Sequence, residues 1–259
     1  MELFVAGCST SWTERATSCY LVNNHILFDC GEGTIKNITK CCGWKLVKGV
    51  DNIFITHFHS DHLFGITPYI AQLVVTYPKT HKKLNIYGPK GIKKMINFFL
   101  PNSIYRGKLN LKEYLNIVEI KTFKEKFFVD DLEIECHKLV HGNFVDVGYI
   151  IKTKDGILGY TGDSTYDQNL VEFVKKCDTI ICDVSANENS FSHMGVKGYK
   201  SLEKEFPNKT FYAVHCGDEI FDNAKTLGLN CLTEQTFYTL SNKKLKKQNK
   251  KIRDANLKN

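Results

Sequence analysis

"THFHSDHLFG", residues 56–65, places three histidines and an aspartate within six positions, directly after the apolar run "NIFI" at 52–55. A hydrophobic core has no use for these groups, and imidazoles so close together would repel one another if protonated. On an extended backbone alternate side chains share a face, so His57 and His59 point the same way and can grip one ion. Asp61 and His62 lie further along the turn and can serve a neighbouring position. Four adjacent donors exceed what one metal needs from one segment, so two metals is the economical reading.

Further donors should then arrive from other strand ends. The run "LEIECHKLV" (132–140) leads into His141, "GILGYTG" (156–162) into Asp163, and "TFYAV" (210–214) into His215. A lone histidine at a strand end is ordinary; four strand ends finishing this way together is a pattern. Strands are also expected at 3–7, 18–22, 25–33, 83–88, 116–120, 148–153 and 178–185. Helices are expected at 33–42, 65–75, 92–100 (stopped by Pro101), 169–177 and around 195–205. Strands outnumber helices and the types alternate in blocks, which predicts an α+β fold of two packed sheets with helices outside. No linker rich in Pro, Gly or Ser divides the chain, so one domain is expected over 1–240.

The formal net charge of +7 resembles a nucleic-acid signal until it is localised. Residues 241–259 hold eight basic residues and one acidic, which accounts for all of it, and residues 1–240 sum to zero. Polyanion binding is therefore expected of that basic C-terminal tail or not at all, and a solvated, fraying helix end is the plainer expectation for it. No apolar run reaches membrane-spanning length and no export signal opens the sequence, so a cytoplasmic protein is expected. The ten cysteines form no C-x-x-C pair and are expected as reduced, mostly buried thiols.

The ordered motifs "LFDCGEGT", "IFITHFHSDHLFG", "IYGPKGI", "LVHGNFVDVGY", "GYTGDST" and "FYAVH" resemble those of the metallo-β-lactamase superfamily, and within it the ribonuclease-Z-type phosphodiesterases. The resemblance runs from about residue 3 to residue 216. It implies an αββα sandwich with two divalent ions at the sheet edge, zinc first and manganese as the alternative. By motif, His57, His59 and His141 would hold one ion, Asp61, His62 and His215 the other, and Asp163 would bridge them. Asp29 and Asp183 would steady ligand imidazoles, and Gly31, Gly33 and Gly65 would permit close turns. His193, in "NENSFSHMG", matches the extra histidine of this branch and is the expected general acid. Asp61 could also orient the attacking water, a lesser role beside ligation.

Two divalent ions about 3.5–4 Å apart lower the pKa of a shared water from 15.7 towards about 7 and neutralise phosphate oxygens. Ribonuclease Z enzymes hold tRNA with a long arm between the His and the bridging Asp, whereas here His141 and Asp163 are 22 residues apart. The sequence most resembles the armless anti-Pycsar enzymes, which phages and some bacteria use against cyclic-nucleotide alarms. That resemblance implies hydrolysis of 3′,5′-cyclic nucleotides to nucleoside monophosphates by a homodimer, in the host cytoplasm if the protein is viral. Trp12, Arg15 and Tyr166 are the candidate substrate contacts. The alternatives are a tRNA 3′-end endonuclease using the basic tail, a thioesterase- or lactonase-type hydrolase, and a metal-bearing module that sequesters a nucleotide.

Overall fold

The computed structural model describes residues 1–76, 82–103 and 110–248. Its first half alternates β1 (Glu2–Gly7), β2 (Cys19–Val22), β3 (Ile26–Phe28), α1 (Thr34–Cys42), α2 (Trp44–Gly49), β4 (Asn52–Phe54), α3 (Ser60–Leu63), α4 (Ile66–Thr76), β5 (Leu84–Gly88), α5 (Ile92–Ser103) and β6 (Leu115–Glu119). The second half runs β7 (Lys126–Val129), β8 (Leu132–His141), β9 (Phe144–Thr153), β10 (Gly156–Tyr160), α6 (Gln168–Lys175), β11 (Thr179–Asp183), α7 (Val196–Glu205), β12 (Thr210–Val214), α8 (Asp218–Asp222), β13 (Thr236–Ser241) and β14 (Lys244–Lys247).

Among the described residues these strands form two mixed sheets, β14-β13-β1-β2-β3-β4-β5-β6 and β12-β11-β10-β9-β8-β7. The period of two along each strand sorts side chains between two layers. Leu3, Val5, Tyr20, Val22, Phe28 and Phe54 face the second sheet, where they meet Ile134, Tyr149, Leu158 and Ile181. Their neighbours Phe4, Ala6, Leu21, Leu27, Ile53 and Ile55 face outward, under α1, α2, α4 and α5. Ile150, Ile180 and Cys182 do the same beneath α6 and α7. Both faces of the central strands are therefore covered, which is why β1, β2, β3 and β11 read as continuous apolar runs. Cys19, Cys30, Cys136, Cys177 and Cys182 pack as buried groups.

Four expectations are corrected. Strand β3 stops at Phe28 rather than reaching Gly33, because the backbone turns at Asp29, whose φ is 57°. Helix α5 runs through Pro101 to Ser103; a proline in a final turn removes one helical bond without breaking those before it. Residues 126–129 and 236–241 form strands the sequence reading passed over. The basic tail does not begin as a fraying helix: Ser241 closes β13 and Lys244–Lys247 form β14, an edge strand paired with it. Residues 249–259 lie outside the described residues.

Candidate metal centre

Five strands end at one edge of the sandwich, and each delivers a polar group there. The chain leaves β4 still extended, which carries His57 and His59 outward, and then tightens into α3 with Asp61 and His62. The backbone of this turn packs against the 29–33 loop so closely that side chains are excluded. A Cβ on Gly31 would lie 2.0 Å from the Asp61 carbonyl oxygen, and one on Gly65 would lie 2.1 Å from that of Gly31. His141 is the last residue of β8, Asp163 follows β10, Asp183 ends β11 and His215 follows β12. His215 adopts φ 57°, held there by its N–H donating to the Cys8 carbonyl at 2.7 Å. That left-handed backbone is uncommon for histidine and costs energy, so the rest of the fold must impose it.

The seven expected donors meet. The ligand atoms of His57, His59, His141 and Asp163 lie within 4.8 Å of one another, as do those of Asp61, His62 and His215. His141 Nε2 is 3.1 Å from His59 Nδ1, and His215 Nε2 is 3.1 Å from Asp61 Oδ2. Asp163 stands between the halves, with Oδ1 3.2 Å from His62 Nε2 and Oδ2 3.4 Å from His215 Nε2 and 3.8 Å from His57 Nε2. Tetrahedral zinc, with Zn–N near 2.0–2.1 Å, holds its donors about 3.3 Å apart, so these separations suit a divalent ion. His57 Nε2, His62 Nε2 and Asp163 Oδ1 are buried without a hydrogen-bond partner. Buried polar atoms are ordinarily satisfied, and an ion accepting these lone pairs would satisfy all three.

Four of the rings are tied on the far side to an outer partner, which fixes the nitrogen each turns inward. His62 Nδ1–H donates to Asp29 Oδ2 at 2.7 Å. Asp29 also accepts from Thr56 N–H at 2.8 Å, the Thr56 hydroxyl at 3.0 Å and the Tyr160 hydroxyl at 2.5 Å. With its proton committed to Asp29, the Thr56 hydroxyl can take the Nδ1–H of His57, 3.0 Å away. His141 Nδ1–H donates to the Ser192 carbonyl at 2.7 Å. His215 Nδ1–H donates to Ser185 Oγ at 3.0 Å, and that hydroxyl donates to Asp183. Asp183 also accepts His193 Nδ1–H at 2.7 Å, so one carboxylate steadies His215 and His193 together.

The two halves differ electrically. Burial pushes His57 well below the usual imidazole range, with the neighbouring His62 adding to it, and His59 is lowered by burial and His141. Burial also opposes charge on His62 and His215, but carboxylates outweigh it. Asp163 and Asp29 hold His62 well above its usual range, while Asp163, Asp183 and Asp61 raise His215 to about 10. Asp163 and Asp61 are correspondingly held low against burial, each chiefly by facing histidines. Asp183 likewise outweighs burial at His193 and raises it.

The candidate substrate contacts are more scattered. Trp12 is 91% exposed. Arg15 is engaged by Asp218 at 3.1 Å and the Cys216 carbonyl at 3.1 Å, with its guanidinium over the Phe221 ring. Tyr166 packs against the core beneath α6 and α7. Asp146 went unnoticed in the sequence. It is fully buried, its Oδ2 is 3.7 Å from His57 Nδ1, and neither oxygen has a hydrogen-bond partner. A lone carboxylate within the apolar stretch "FVDVGYII" was the available signal.

Among solved structures, the chain superposes on the metallo-β-lactamase fold protein YhfI from Bacillus subtilis with a TM-score of 0.74 at 20% identity, covering 92% of this chain and 99% of that one. It superposes on the short form of human tRNase Z with a TM-score of 0.70 at 18% identity, covering 93% and 99%. In sequence it is 26% identical to ribonuclease Z of Thermoplasma volcanium over 76% of this chain and 79% of that protein. The family described as anti-Pycsar protein Apyc1 matches residues 1–238. Fold, donor cluster and family agree on a hydrolase of the metallo-β-lactamase fold with a divalent-metal site. The chain belongs to the anti-Pycsar protein Apyc1 family, in the ribonuclease-Z-like branch of the metallo-β-lactamase superfamily.

Proposed function

We propose that the protein hydrolyses 3′,5′-cyclic nucleotides to nucleoside monophosphates with two divalent ions, zinc first. The observation that carries a small substrate is the chain between His141 and Asp163. It is a tight meander of β8, β9 and β10 with turns at Gly142-Asn143 and Lys154-Asp155, which leaves no segment for an RNA-holding arm. In this reading His57, His59 and His141 hold one ion, Asp61, His62 and His215 the other, and Asp163 faces both. When bound, such ions supply charge neutralisation at the phosphate and a water of lowered pKa. The chain's own part is to fix which imidazole nitrogen faces inward, which Thr56, Asp29, the Ser192 carbonyl and Ser185 do for His57, His62, His141 and His215. His193 stands beside His141 and stacks on His215 at 5.4 Å between ring centroids. With Nδ1–H given to Asp183, its Nε2–H can deliver a proton to the departing ribose oxygen.

The test is to incubate the purified, zinc- or manganese-loaded protein with cCMP, cUMP and cAMP and follow monophosphate formation. Turnover of at least one is expected; no turnover of any rejects the reading. Ribonuclease Z activity is the second reading, supported by the sequence relatives that carry that name. Cleavage of a pre-tRNA at its 3′ end, lost when residues 249–259 are deleted, would favour it.

A further inference from the structure

A cavity of about 780 Å³ opens beside His57 and His59, within the 300–1,000 Å³ typical of small-molecule sites. Besides those histidines its walls come from Phe58 between them, the Pro89-Lys90 turn after β5, Glu119 to Phe123 at the end of β6, and Phe144 at the start of β9. The turn is built rather than incidental. Glu119 Oε1 accepts the Gly91 N–H at 2.9 Å, and the Ile120 N–H donates to the Gly88 carbonyl at 2.9 Å. Gly91, at φ 104°, lies against the Phe58 ring, where a Cβ would come within 3.4 Å. The "GPKG" motif is thereby fixed as one wall of a pocket that begins at two of the metal-ligand candidates.

The lining has a definite chemistry. Phe58 and Phe123 are half-buried, and Phe144 is 59% exposed, its ring edge-on to His59 at 5.2 Å. Large aromatics exposed around a concave wall favour a flat, apolar-faced guest. Lys90 and Lys121 add donors, and the Glu119 carboxylate, pinned by one oxygen, adds an acceptor. A guest with a flat ring, polar groups on its edge and an anionic group reaching the imidazole cluster fits all of these.

Building on the cyclic-nucleotide reading, we propose that this cavity is the nucleobase subsite: the base packs among Phe58, Phe123 and Phe144, and Glu119 with Lys90 and Lys121 reads its edge. The subsite sets which base is preferred. The phosphate lies at the metal cluster, where His193 stands beside His141 and His215 and outside the cavity's lining.

The test compares 3′,5′-cyclic nucleotides carrying each of the four bases with an abasic 3′,5′-cyclic ribose phosphate. In Phe144→Ala the preference in kcat/KM for nucleotide over abasic substrate falls about tenfold, within what loss of one base-stacking aromatic costs, and the change is carried by KM. Glu119→Gln keeps an acceptor for the Gly91 N–H but alters the edge it presents, so it reorders the preference among bases. An unchanged preference in Phe144→Ala together with an unchanged order in Glu119→Gln overturns the subsite while leaving the phosphodiesterase reading intact. If the wild-type protein turns over no cyclic nucleotide, that reading fails on its own and calorimetric binding of nucleoside 5′-monophosphates decides the subsite. Binding weakened by Phe144→Ala upholds it; no binding, or unchanged binding, overturns it.

Discussion

Of the buried aspartates that stand behind the imidazole cluster, two are built in opposite ways. Asp29, behind His62, accepts four hydrogen bonds from Thr56, Tyr160 and His62 itself. Asp146, behind His57, accepts none on its side chain. Burial pushes the Asp146 carboxyl well above its usual range, and the Asp163 and Asp29 charges push the same way. A buried carboxylate without donors is costly as an anion and neutralises instead. The same side chain therefore serves one half of the cluster as a hydrogen-bonded anchor and meets the other as a group whose charged form is disfavoured. Asp183 belongs with Asp29: it is buried, takes hydrogen bonds from Ser185 and His193, and is held below its usual range by His193 and His215.

The largest effect should come where a carboxylate-held imidazole moves a proton. His193→Ala is expected to lower kcat about 10²–10⁴-fold while leaving the metal content unchanged, and to lose much less with a p-nitrophenyl phosphodiester, whose leaving group needs little protonation. Because Asp183 raises His193, it holds its proton to higher pH than an ordinary imidazole, and activity should fall as pH rises through its pKa. That alkaline limb should vanish in His193→Ala and move to lower pH in Asp183→Asn. An unchanged limb in both variants would deny His193 the role of acid and leave Asp183 as an anchor for His215 alone.

Next in size is Asp29→Asn. An amide offers one acceptor oxygen and turns an N–H₂ towards groups that now donate, so the His62 ring loses its anchor. Losing such an outer partner typically weakens metal affinity about 10–100-fold, read here by competition with a chelator followed by metal analysis. An affinity within twofold of wild type would mean that Thr56 and Tyr160, rather than His62, are what Asp29 serves.

These contrasts also separate what the sequence disclosed from what it hid. Donor residues at strand ends were legible because a strand's apolar run and its closing His or Asp are adjacent in the chain, as in "LVH" and "YTGD". The outer partners of those donors come from far away: Tyr160 reaches Asp29 across 131 positions, and the Ser192 carbonyl reaches His141 across 51. No local pattern encodes such a meeting. The αββα layering was legible in the apolar runs, but β7, β13 and β14 were not. "KLKK" reads as a charge run, and becomes an edge strand only because Leu245 is buried and β13 lies beside it. Lysines on an edge strand are a common defence against unwanted pairing, which hides the strand from a charge-based reading.

The smallest catalytic effect belongs to Asp146→Asn, and its stability effect tests the contrast most directly. An amide replaces, with nearly the same shape, a carboxyl whose charged form is disfavoured, so activity with zinc bound should stay within about threefold, inside the range of an isosteric change at a site making no hydrogen bond. Stability of the metal-free protein should respond with a definite sign. The folded carboxyl keeps its proton at pH values where the unfolded one, near 3.9, has lost it, so wild-type stability falls as pH rises above about 4. Asparagine does not titrate and escapes that loss. The melting temperature of Asp146→Asn should therefore exceed that of wild type by more at pH 8 than at pH 5. A gap that stays constant between the two pH values would mean the folded protein holds Asp146 as an anion, and the two aspartates would then be alike in charge despite their unlike surroundings.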